Sequence, residues 1–499
     1  MDVATKSEPL NLQERVAFPP RLAWAFCLGF ALLTGCLGWA TGDLLGNEGL
    51  RARVAAEMAA NSSAHAPLGP RSWWVPQLDG EPLLTKPPLQ YWMVAALGRC
   101  TGRVGALEAR FPSVIGWLVL VGLACWVGYR KWGNAGALST LLVMPLSLAV
   151  LTQVPSAELD LPLCAWVFGG LVAWEALVRS GGEFGLAWWG LGLCLLGGFL
   201  QKWTGPAFLL PVIGFWLVWK KDWRLLARPL PWIVGVVVLA GALGWLVMAG
   251  RETGWEVLWQ TVVRREGLEH LSPAHHGRPY PFHEWATYPL QVLAMGLPGC
   301  LALGGWALVS QDRRNTLSGD GWLQILLLGV VLPLLFWTLV PGHKPRHALP
   351  VIPPLMALSA GGLASVWPQW NPLFARRASV ALAVVAVIWV GIKAGQVTLK
   401  ASRAGQAASP TQVARELALV LEGEGAQVQV GLLRDDGLLL ALADLGIRVD
   451  RRRGGEWRTD SPILVTAAER AHFGGAGLLL EGVDQQGKPI FLLDRTTKP

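Results

Sequence analysis

Two pairs of polar residues lie directly beside apolar runs of the sequence and have the chemistry for acid–base work. Asn47-Glu48 follows the first apolar run, and Glu158 and Asp160 precede a later one. A carboxylate in such a place can take the proton of an attacking hydroxyl group as a general base. The alternative is that these side chains only face solvent or cap helices, whose N-termini stabilise negative charge. Two acids in succession exceed what a cap needs, so function is favoured for Glu158 or Asp160.

Cations near the ends of several apolar runs could bind a phosphate or a diphosphate through charge-assisted hydrogen bonds. These candidates are Arg51, Lys86, Lys202, Arg278, Lys344 and Arg346. The alternative is that they extend towards lipid headgroups, as Lys and Arg at helix ends commonly do. Lys202 fits that alternative least, because it lies in a tight break between two apolar runs. Tyr91 shares the stretch of Lys86 and suits either substrate binding or anchoring at the membrane interface.

Histidines also collect in the connections between the apolar runs. They are His270, His275, His276, His283, His343 and His347. Imidazole is a common metal ligand, but hydrogen bonding to phosphate or sugar is an equally good role for these residues. His270 and His347 are therefore predicted to make secondary polar contacts with substrate. A divalent metal remains open but is not expected, and no other cofactor is indicated.

The composition indicates a membrane protein with many spans. Of the 499 residues, 53% are hydrophobic and only 15% are charged, which leaves too little polar surface for a soluble fold of this size. The formal net charge of +8 is spread over short clusters between apolar runs, so it does not form a nucleic-acid-binding stripe. No nucleic-acid partner is expected. Residues 21–41 have no convincing cleavage site and predict an uncleaved signal anchor.

Eleven apolar runs approach or reach the length of about 17 to 25 residues that a membrane-spanning helix needs. They cover residues 21–41, 109–128, 134–152, 160–179, 186–201, 204–220, 231–249, 285–308, 321–341, 347–366 and 378–397. Basic clusters fall in alternate connections, which predicts that those connections are cytoplasmic. The remaining connections then face the outside, as does the tail. We therefore predict an α-helical polytopic membrane protein of the plasma (inner) membrane with about eleven transmembrane helices.

The predicted domains follow from this topology. Residues 1–20 form a cytoplasmic N-terminus, 21–397 form the transmembrane domain, and 42–108 are its first external loop. Residues 398–499 are predicted to form a small extracytoplasmic α/β domain. Its expected elements are a helix starting near 409–410, a strand at 428–433, a helix at 437–445 and strands near 463–466 and 490–493.

Four motifs resemble one known family. They are residues 74–80 followed by 86–92 (Lys-Pro-Pro-Leu-Gln-Tyr-Trp), 159–163 (Leu-Asp-Leu-Pro-Leu), 202–206 (Lys-Trp-Thr-Gly-Pro) and 345–350 (Pro-Arg-His-Ala-Leu-Pro). In this order they resemble the GT-C class of membrane glycosyltransferases, specifically the protein O-mannosyltransferase and lipid A aminoarabinose transferase superfamily. The resemblance covers about the first 370 residues.

The resemblance implies a reaction and a set of roles. Members of this superfamily pass a sugar from a polyprenyl-phosphate donor to an acceptor with inversion at the anomeric carbon. The acceptor would be a lipid, a glycan or a protein, reached at the external face of the membrane. By this resemblance Lys86, Lys202 and Arg346 would bind the donor phosphate. The loops around 42–108, 153–160 and 341–347 would surround one cavity.

Departures from the family pattern change the expected base. Asn47 stands where relatives usually carry an acid, and an amide cannot accept the proton. Glu48 is then the first choice as catalytic base and Asp160 the second, while Asn47 and Glu158 are assigned to substrate binding. Thr85 replaces the acid often found before the loop lysine, which argues against a metal shared with His270.

Two other functions fit parts of the sequence. A lipid or solute transporter would place ionisable residues near the middle of the bilayer and break its helices in paired positions. The charges here gather at one face, which favours the enzyme. A catalytically inactive relative that acts as an assembly partner is the second alternative, and Asn47 supports it.

Overall fold

A computed structural model gives the fold of the chain. It describes residues 20–60, 73–269, 282–303, 320–340, 344–403, 409–421, 426–452, 457–458, 461–473 and 476–494. The described residues up to 403 are mostly helical, and a small sheet occupies the tail. The predicted helical fold with a small C-terminal sheet is therefore confirmed.

The helices that precede the tail are numbered in chain order. They are α1 (Pro20–Cys36), α2 (Asn47–Ala60), α3 (Leu89–Thr101), α4 (Ala106–Val143), α5 (Leu148–Gln153), α6 (Asp160–Arg179), α7 (Gly185–Gln201), α8 (Pro206–Lys220), α9 (Pro229–Thr253), α10 (Trp255–Leu258), α11 (Phe282–Ala294), α12 (Gly321–Leu339), α13 (Ile352–Val366) and α14 (Pro372–Arg403). A π-helix covers Trp259–Glu269, and 3-10 helices cover Trp223–Leu226, Pro345–Val351 and Trp367–Gln369.

Six helical segments in the described residues are long and apolar enough to cross a membrane. They cover Ala106–Val143, Asp160–Arg179, Pro229–Thr253, Gly321–Leu339, Pro345–Gln369 and Pro372–Lys400. Three shorter apolar helices lie at Pro20–Cys36, Gly185–Gln201 and Pro206–Lys220. These nine segments overlap most of the predicted spans, and their buried faces form one large apolar core.

Helix α4 covers the predicted span 109–128 and the first part of the next one, 134–152, whose last residues lie in α5. Its backbone leaves helical geometry at Trp132 and at Gly133, whose φ is +59°. Only glycine adopts this left-handed conformation without strain. Beyond the break, Gly136 approaches the backbone of Gly128 so closely that a Cβ atom has no room there. The chain therefore turns at Trp132 and Gly133, between the two predicted spans.

The predicted external loop 42–108 contains α2, α3 and a short hairpin between them. The hairpin pairs β1 (Gln77–Leu78) with β2 (Glu81–Pro82) in antiparallel register. Asp79 and Gly80 form its turn with positive φ angles of 57° and 77°, as a two-residue hairpin loop of this type requires. Apolar residues of α2 and α3 form a separate core, which also buries Leu440 of the tail.

The tail is an α/β unit with a five-stranded sheet. Its elements are α15 (Pro410–Val420), β3 (Gln427–Val430), α16 (Asp436–Asp444), β4 (Arg448–Arg451), β5 (Ile463–Thr466), α17 (Ala467–Arg470), β6 (Gly477–Val483) and β7 (Pro489–Asp494). The strand order is β4-β3-β5-β7-β6, in which β3 pairs in parallel with β4 and β5 while β7 pairs antiparallel with β5 and β6. The two edge strands, β4 and β6, were not predicted. Both are half exposed or exposed along their length, so neither has the apolar signal of a buried strand.

Candidate active site

Glu158 joins three distant parts of the chain. Its Oε1 accepts hydrogen bonds from Asn47 Nδ2 at 3.2 Å and from Arg346 at 3.3 Å. Its Oε2 forms an ion pair with Arg51, which also donates to the carbonyl oxygen of Ala157 at 3.0 Å. Helix α2, the segment before α6 and the 3-10 helix at Pro345–Val351 therefore meet at one carboxylate.

Asp160 and Lys202 form a second, more deeply buried pair. Asp160 is 5% exposed, and its Oδ1 lies 2.6 Å from Lys202 Nζ. Lys202 directly follows α7, whose last residue Gln201 donates to Gln90 of α3 at 2.8 Å and to the carbonyl of Leu159 at 3.4 Å. These bonds fix the break after α7 against the start of α6, so lysine and carboxylate are held together.

Lys86 lies in the same region but has its own counter-ion. Its Nζ donates to Glu266 at 2.7 Å and to the carbonyl of Thr85 at 2.9 Å. Burial lowers the pKa of Lys86, Glu266 opposes that effect, and the positive charges of Lys202 and Arg51 lower the pKa further. The electrostatic influence of Lys202 and Arg51 shows that three cations from different elements converge here.

Tyr91 and His347 border the same cluster. Tyr91 is 2% exposed, and burial raises the pKa of its phenol while the charge of the hydrogen-bonded Arg51 opposes the rise. His347 interacts electrostatically with Asp160 and its ring packs near that of Trp337, with 6.4 Å between centroids. Both residues therefore lie next to charged side chains of the cluster.

Glu48 lies apart, in a clamp with Arg110. Its Oε2 accepts from Arg110 at 2.9 Å, and its Oε1 accepts from Arg110 Nε at 3.0 Å and from the Ala157 amide at 2.7 Å. Arg110 also donates to the carbonyl oxygens of Gly38, Thr41 and Asp43 at 3.1, 2.6 and 3.2 Å. Both carboxylate oxygens of Glu48 are thus engaged, and the clamp joins the end of α1, α2 and α4 to the segment that carries Glu158.

The remaining predicted residues are less central or lie outside the described residues. Lys344 is exposed, and within the described residues its side chain forms no ion pair, although its carbonyl accepts from Tyr288 at 3.5 Å. His270 and Arg278, both predicted to bind substrate, lie outside the described residues. In the part of the chain that is described, no group of three His, Cys, Asp or Glu side chains could hold a metal ion.

Arg110 and Glu266 were not among the predicted site residues. A signal for Arg110 was available, because an arginine in the first turns of a long apolar run needs a partner. Glu266 had no such signal, since it lies in a charged stretch far from Lys86 in the sequence. The contact between Glu266 and Lys86 forms only when the chain folds.

The sequence comparisons agree with the motifs. The family described as dolichyl-phosphate-mannose-protein mannosyltransferase matches residues 85–247, a region that contains Lys86, Glu158, Asp160 and Lys202. An undecaprenyl phosphate-alpha-4-amino-4-deoxy-L-arabinose arabinosyl transferase 2 from Pseudomonas fluorescens is 30% identical over 328 residues, which are 60% of this chain and 57% of that protein. The similarity thus spans just over half the length of this curated relative.

Solved structures show the same fold over nearly the whole chain. ArnT from Cupriavidus metallidurans in the apo state superposes with a TM-score of 0.69 at 14% identity, covering 95% of this chain and 98% of that one. The structure of the same protein bound to undecaprenyl phosphate has a TM-score of 0.67 at 15% identity, with 94% and 97% covered. The archaeal oligosaccharyltransferase AglB from Archaeoglobus fulgidus has a TM-score of 0.53 at 12% identity, with 96% and 75% covered.

These findings confirm the resemblance that the motifs predicted. The chain has the fold of the GT-C class, and its sequence is similar to members of the protein O-mannosyltransferase and lipid A aminoarabinose transferase superfamily. Membrane-protein character follows from the same relatives and from the apolar helices.

Proposed function

We propose that this protein is an inverting glycosyltransferase that moves a sugar from a polyprenyl-phosphate donor to a lipid acceptor. The observation that carries the proposal is the convergence of Arg51, Lys86, Lys202 and Arg346, from four separate elements, beside Glu158 and Asp160. The names of the curated relatives support the donor class, since they specify an undecaprenyl-phosphate-linked amino sugar. The same chemistry also allows a protein or a glycan as the acceptor of the sugar.

The cations have a clear role in such a transfer. The bond from the anomeric carbon to the donor phosphate breaks, so negative charge grows on the departing lipid phosphate. Lys86, Lys202 and Arg346 can stabilise that charge with preorganised, charge-assisted hydrogen bonds. We assign the donor phosphate to these three residues, with Arg51 at the edge of the site. His270, Arg278, Lys344 and His347 are assigned to further polar contacts with substrate.

The geometry favours Asp160 over Glu48 as the general base. Glu48 accepts three hydrogen bonds through both oxygens and is bound to Arg110. Asp160 accepts one bond from Lys202 through Oδ1, and within the described residues its Oδ2 accepts none. A base needs an oxygen free to approach the acceptor proton. Within the described residues Asp160 retains such an oxygen. Glu48 instead stabilises the structure next to the site, and Glu158 accepts a hydrogen bond from Asn47.

The predicted topology completes the proposal. We propose about eleven membrane spans, an inner-membrane location and an extracytoplasmic site, with the tail from 398 onwards on the same external side. The alternation of basic clusters between the spans supports this orientation. Contacts between the tail and α2, described below, support a shared side for the tail and the site.

A transfer assay with purified protein tests the proposal. The protein would be incubated with a panel of radiolabelled polyprenyl-phosphate sugars and membrane lipids, and the label would be followed into each acceptor. We expect transfer from one donor, with losses of at least a hundredfold in Lys86→Ala and Lys202→Ala, the size expected for removing one preorganised donor to a developing anion. Lys220→Ala, at the end of α8, is the matched control and should transfer normally. Undiminished transfer by both site variants would overturn the phosphate assignment.

Asn47 supports one second candidate, an inactive relative that binds the same donor. Its amide donates to Glu158 at 3.2 Å, so it fills the place of an acid with a neutral group. Binding of the donor without transfer of any label, in the parent protein, would favour this candidate over the enzyme.

A further inference from the structure

A polar cavity of about 450 Å³ lies behind the Glu48–Arg110 clamp. It is bounded by the end of α1, by the last turns of α14 and by the start of the tail, with Ser409 and Gln485 among its lining residues. The Glu48–Arg110 clamp forms part of its lining, and so does Pro155, three residues before Glu158. Its volume is within the range of small-molecule sites, about 300 to 1,000 Å³.

One face of α14 supplies two lysines to this cavity. Lys393, Gln396, Val397 and Lys400 all line it, and their spacing of three, four and seven residues places them on the same side of a helix. Lys393 is 5% exposed whereas Lys400 is exposed. The two residues are separated by roughly 10 Å along the helix axis, at about 1.5 Å per residue. The cavity therefore has one cation at its inner end and one near its mouth.

Neither lysine is paired with a carboxylate in the described part of the chain. The Lys393 ammonium donates to the carbonyl oxygens of Leu151, at 2.8 Å, and Val154, which are left open at the end of α5. An ammonium has three donors, so one remains after these two bonds. Burying a cation without a counter-ion is costly, and an anion bound beside it would offset that cost.

The acids in the lining are already engaged. Asp43 accepts hydrogen bonds from Ser409 Oγ at 2.7 Å and from Thr411 Oγ1 at 2.6 Å, one on each carboxylate oxygen. Glu48 is held by Arg110, as described above. Among the described residues, the lining of the cavity thus contains three basic side chains, Arg110, Lys393 and Lys400, against two acids. The surplus positive charge comes from the α14 lysines.

We propose that this cavity binds the phosphate headgroup of an anionic lipid, at a site separate from the donor phosphate site. The shared chemistry is a phosphate anion between Lys393 and Lys400. A lipid is the favoured source because the cavity lies at the ends of two apolar helices, α1 and α14, and α14 exposes apolar side chains such as Val385 and Ile392 beside its cavity-facing side. Acyl chains can lie along that surface while the headgroup enters the cavity. This inference does not depend on the proposed transfer reaction.

Native mass spectrometry of the full-length protein tests the proposal. Detergent-solubilised protein would be titrated with phosphatidylglycerol and, separately, with zwitterionic phosphatidylethanolamine. We expect preferential retention of phosphatidylglycerol, weakened about fivefold in Lys400→Gln, the size expected for losing one lysine beside an anionic headgroup. The double variant with Lys393→Gln should lose the preference. Lys220→Gln, another exposed lysine at the end of an apolar helix, is the matched control and should behave as the parent.

The outcomes separate the alternatives. Equal retention of the two lipids, or a Lys400→Gln variant that matches the parent, would overturn the proposal. Loss of phosphatidylglycerol in Lys86→Ala would also overturn it, since the anion would then occupy the donor site.

Thermal shifts with inorganic phosphate distinguish the source of the anion. Stabilisation by phosphate alone, lost in Lys400→Gln, supports the anion site with a free ion as its ligand. If Lys393→Gln does not fold, Lys400→Gln alone decides, because its side chain is exposed.

Discussion

Arg51 and Arg53 of α2 lie only two residues apart but belong to two different charge clusters. The ion pairs of one cluster balance in charge, and those of the other do not. Arg53 pairs with Asp79 of the hairpin and, at 2.9 Å, with Asp436 of the tail. Arg451 of β4 pairs with the same two acids at 3.1 and 3.6 Å. Two cations and two acids thus form a closed ring in which every side chain is at most 15% exposed. This ring joins the tail to α2.

Arg51 belongs to a cluster that is not balanced. Within the described part of the chain, the ion pairs there contain four cations, Arg51, Lys86, Lys202 and Arg346, against three acids, Glu158, Asp160 and Glu266. Asn47, which is bonded to Glu158, adds no charge. Among the described residues the ion pairs of the ring balance, whereas the Arg51 cluster has a surplus positive charge that an anionic ligand can neutralise. Charge balance therefore distinguishes the joint that holds the tail from the site that we propose binds the donor phosphate.

The largest expected effect is the loss of the general base in the unbalanced cluster. Asp160→Asn should lower the rate of sugar transfer by about 10²- to 10⁴-fold, the usual contribution of a positioned acid or base. Donor binding should persist, because Lys86 and Arg346 are unchanged. Transfer rates and donor dissociation constants measured on the same preparation check this. Glu48→Gln is the comparison: if it abolishes transfer while keeping the parent's melting temperature, the assignment of Asp160 as base is wrong.

Removing one residue of the closed ring should lower the stability of the protein more than its rate of sugar transfer. Arg451→Ala removes one partner of a buried network and leaves Asp79 and Asp436 with one cation between them, which destabilises by about 3–5 kcal/mol. The melting temperature of the detergent-purified protein should fall clearly. The rate constant for transfer by the protein that remains folded should change little. A variant with parental stability and lost transfer would mean that the ring belongs to the active site.

The counter-ion of Lys86 provides a smaller test of the unbalanced cluster. Glu266→Gln removes the carboxylate that competes with the donor phosphate for Lys86, so the KM for donor should fall a few-fold with little change in kcat. Steady-state kinetics over donor concentration measure this. A rise in KM would show instead that Glu266 helps to bind the donor.

The pH dependence of donor binding is the mildest expected effect. Because burial, the largest influence, lowers the pKa of Lys86, its positive charge is present at lower pH and is lost as pH rises through the lowered value. Donor affinity should therefore begin to weaken at a lower pH than it would if Lys86 had the pKa of an ordinary lysine. Lys86→Arg should remove this part of the dependence, since a guanidinium stays charged. Identical pH profiles for parent and variant would contradict the role of Lys86.

Much of the site could be predicted because charges near the ends of apolar runs are conspicuous in the sequence. Lys202 and Asp160 each lie beside an apolar run and within a motif that resembles the family, so local sequence singled them out. Arg110 had a signal of its own as a charge in an apolar run, but its pairing with Glu48, 62 residues away, could not be predicted from local sequence. The partners of Arg53 were equally hidden, since Asp436 is 383 residues away in a separate structural unit.

By itself the sequence determined the membrane class, the approximate helices and the set of cations, because hydrophobic length and local charge are properties of short stretches. The tertiary structure alone decided which acid pairs with which cation. In the proposed mechanism that pairing places Glu48 in a clamp and favours Asp160 as base, because within the described residues the Asp160 Oδ2 accepts no hydrogen bond. Electrostatic interaction acts through space at distances of a few ångströms, so roles that depend on it are defined only after distant segments have packed together.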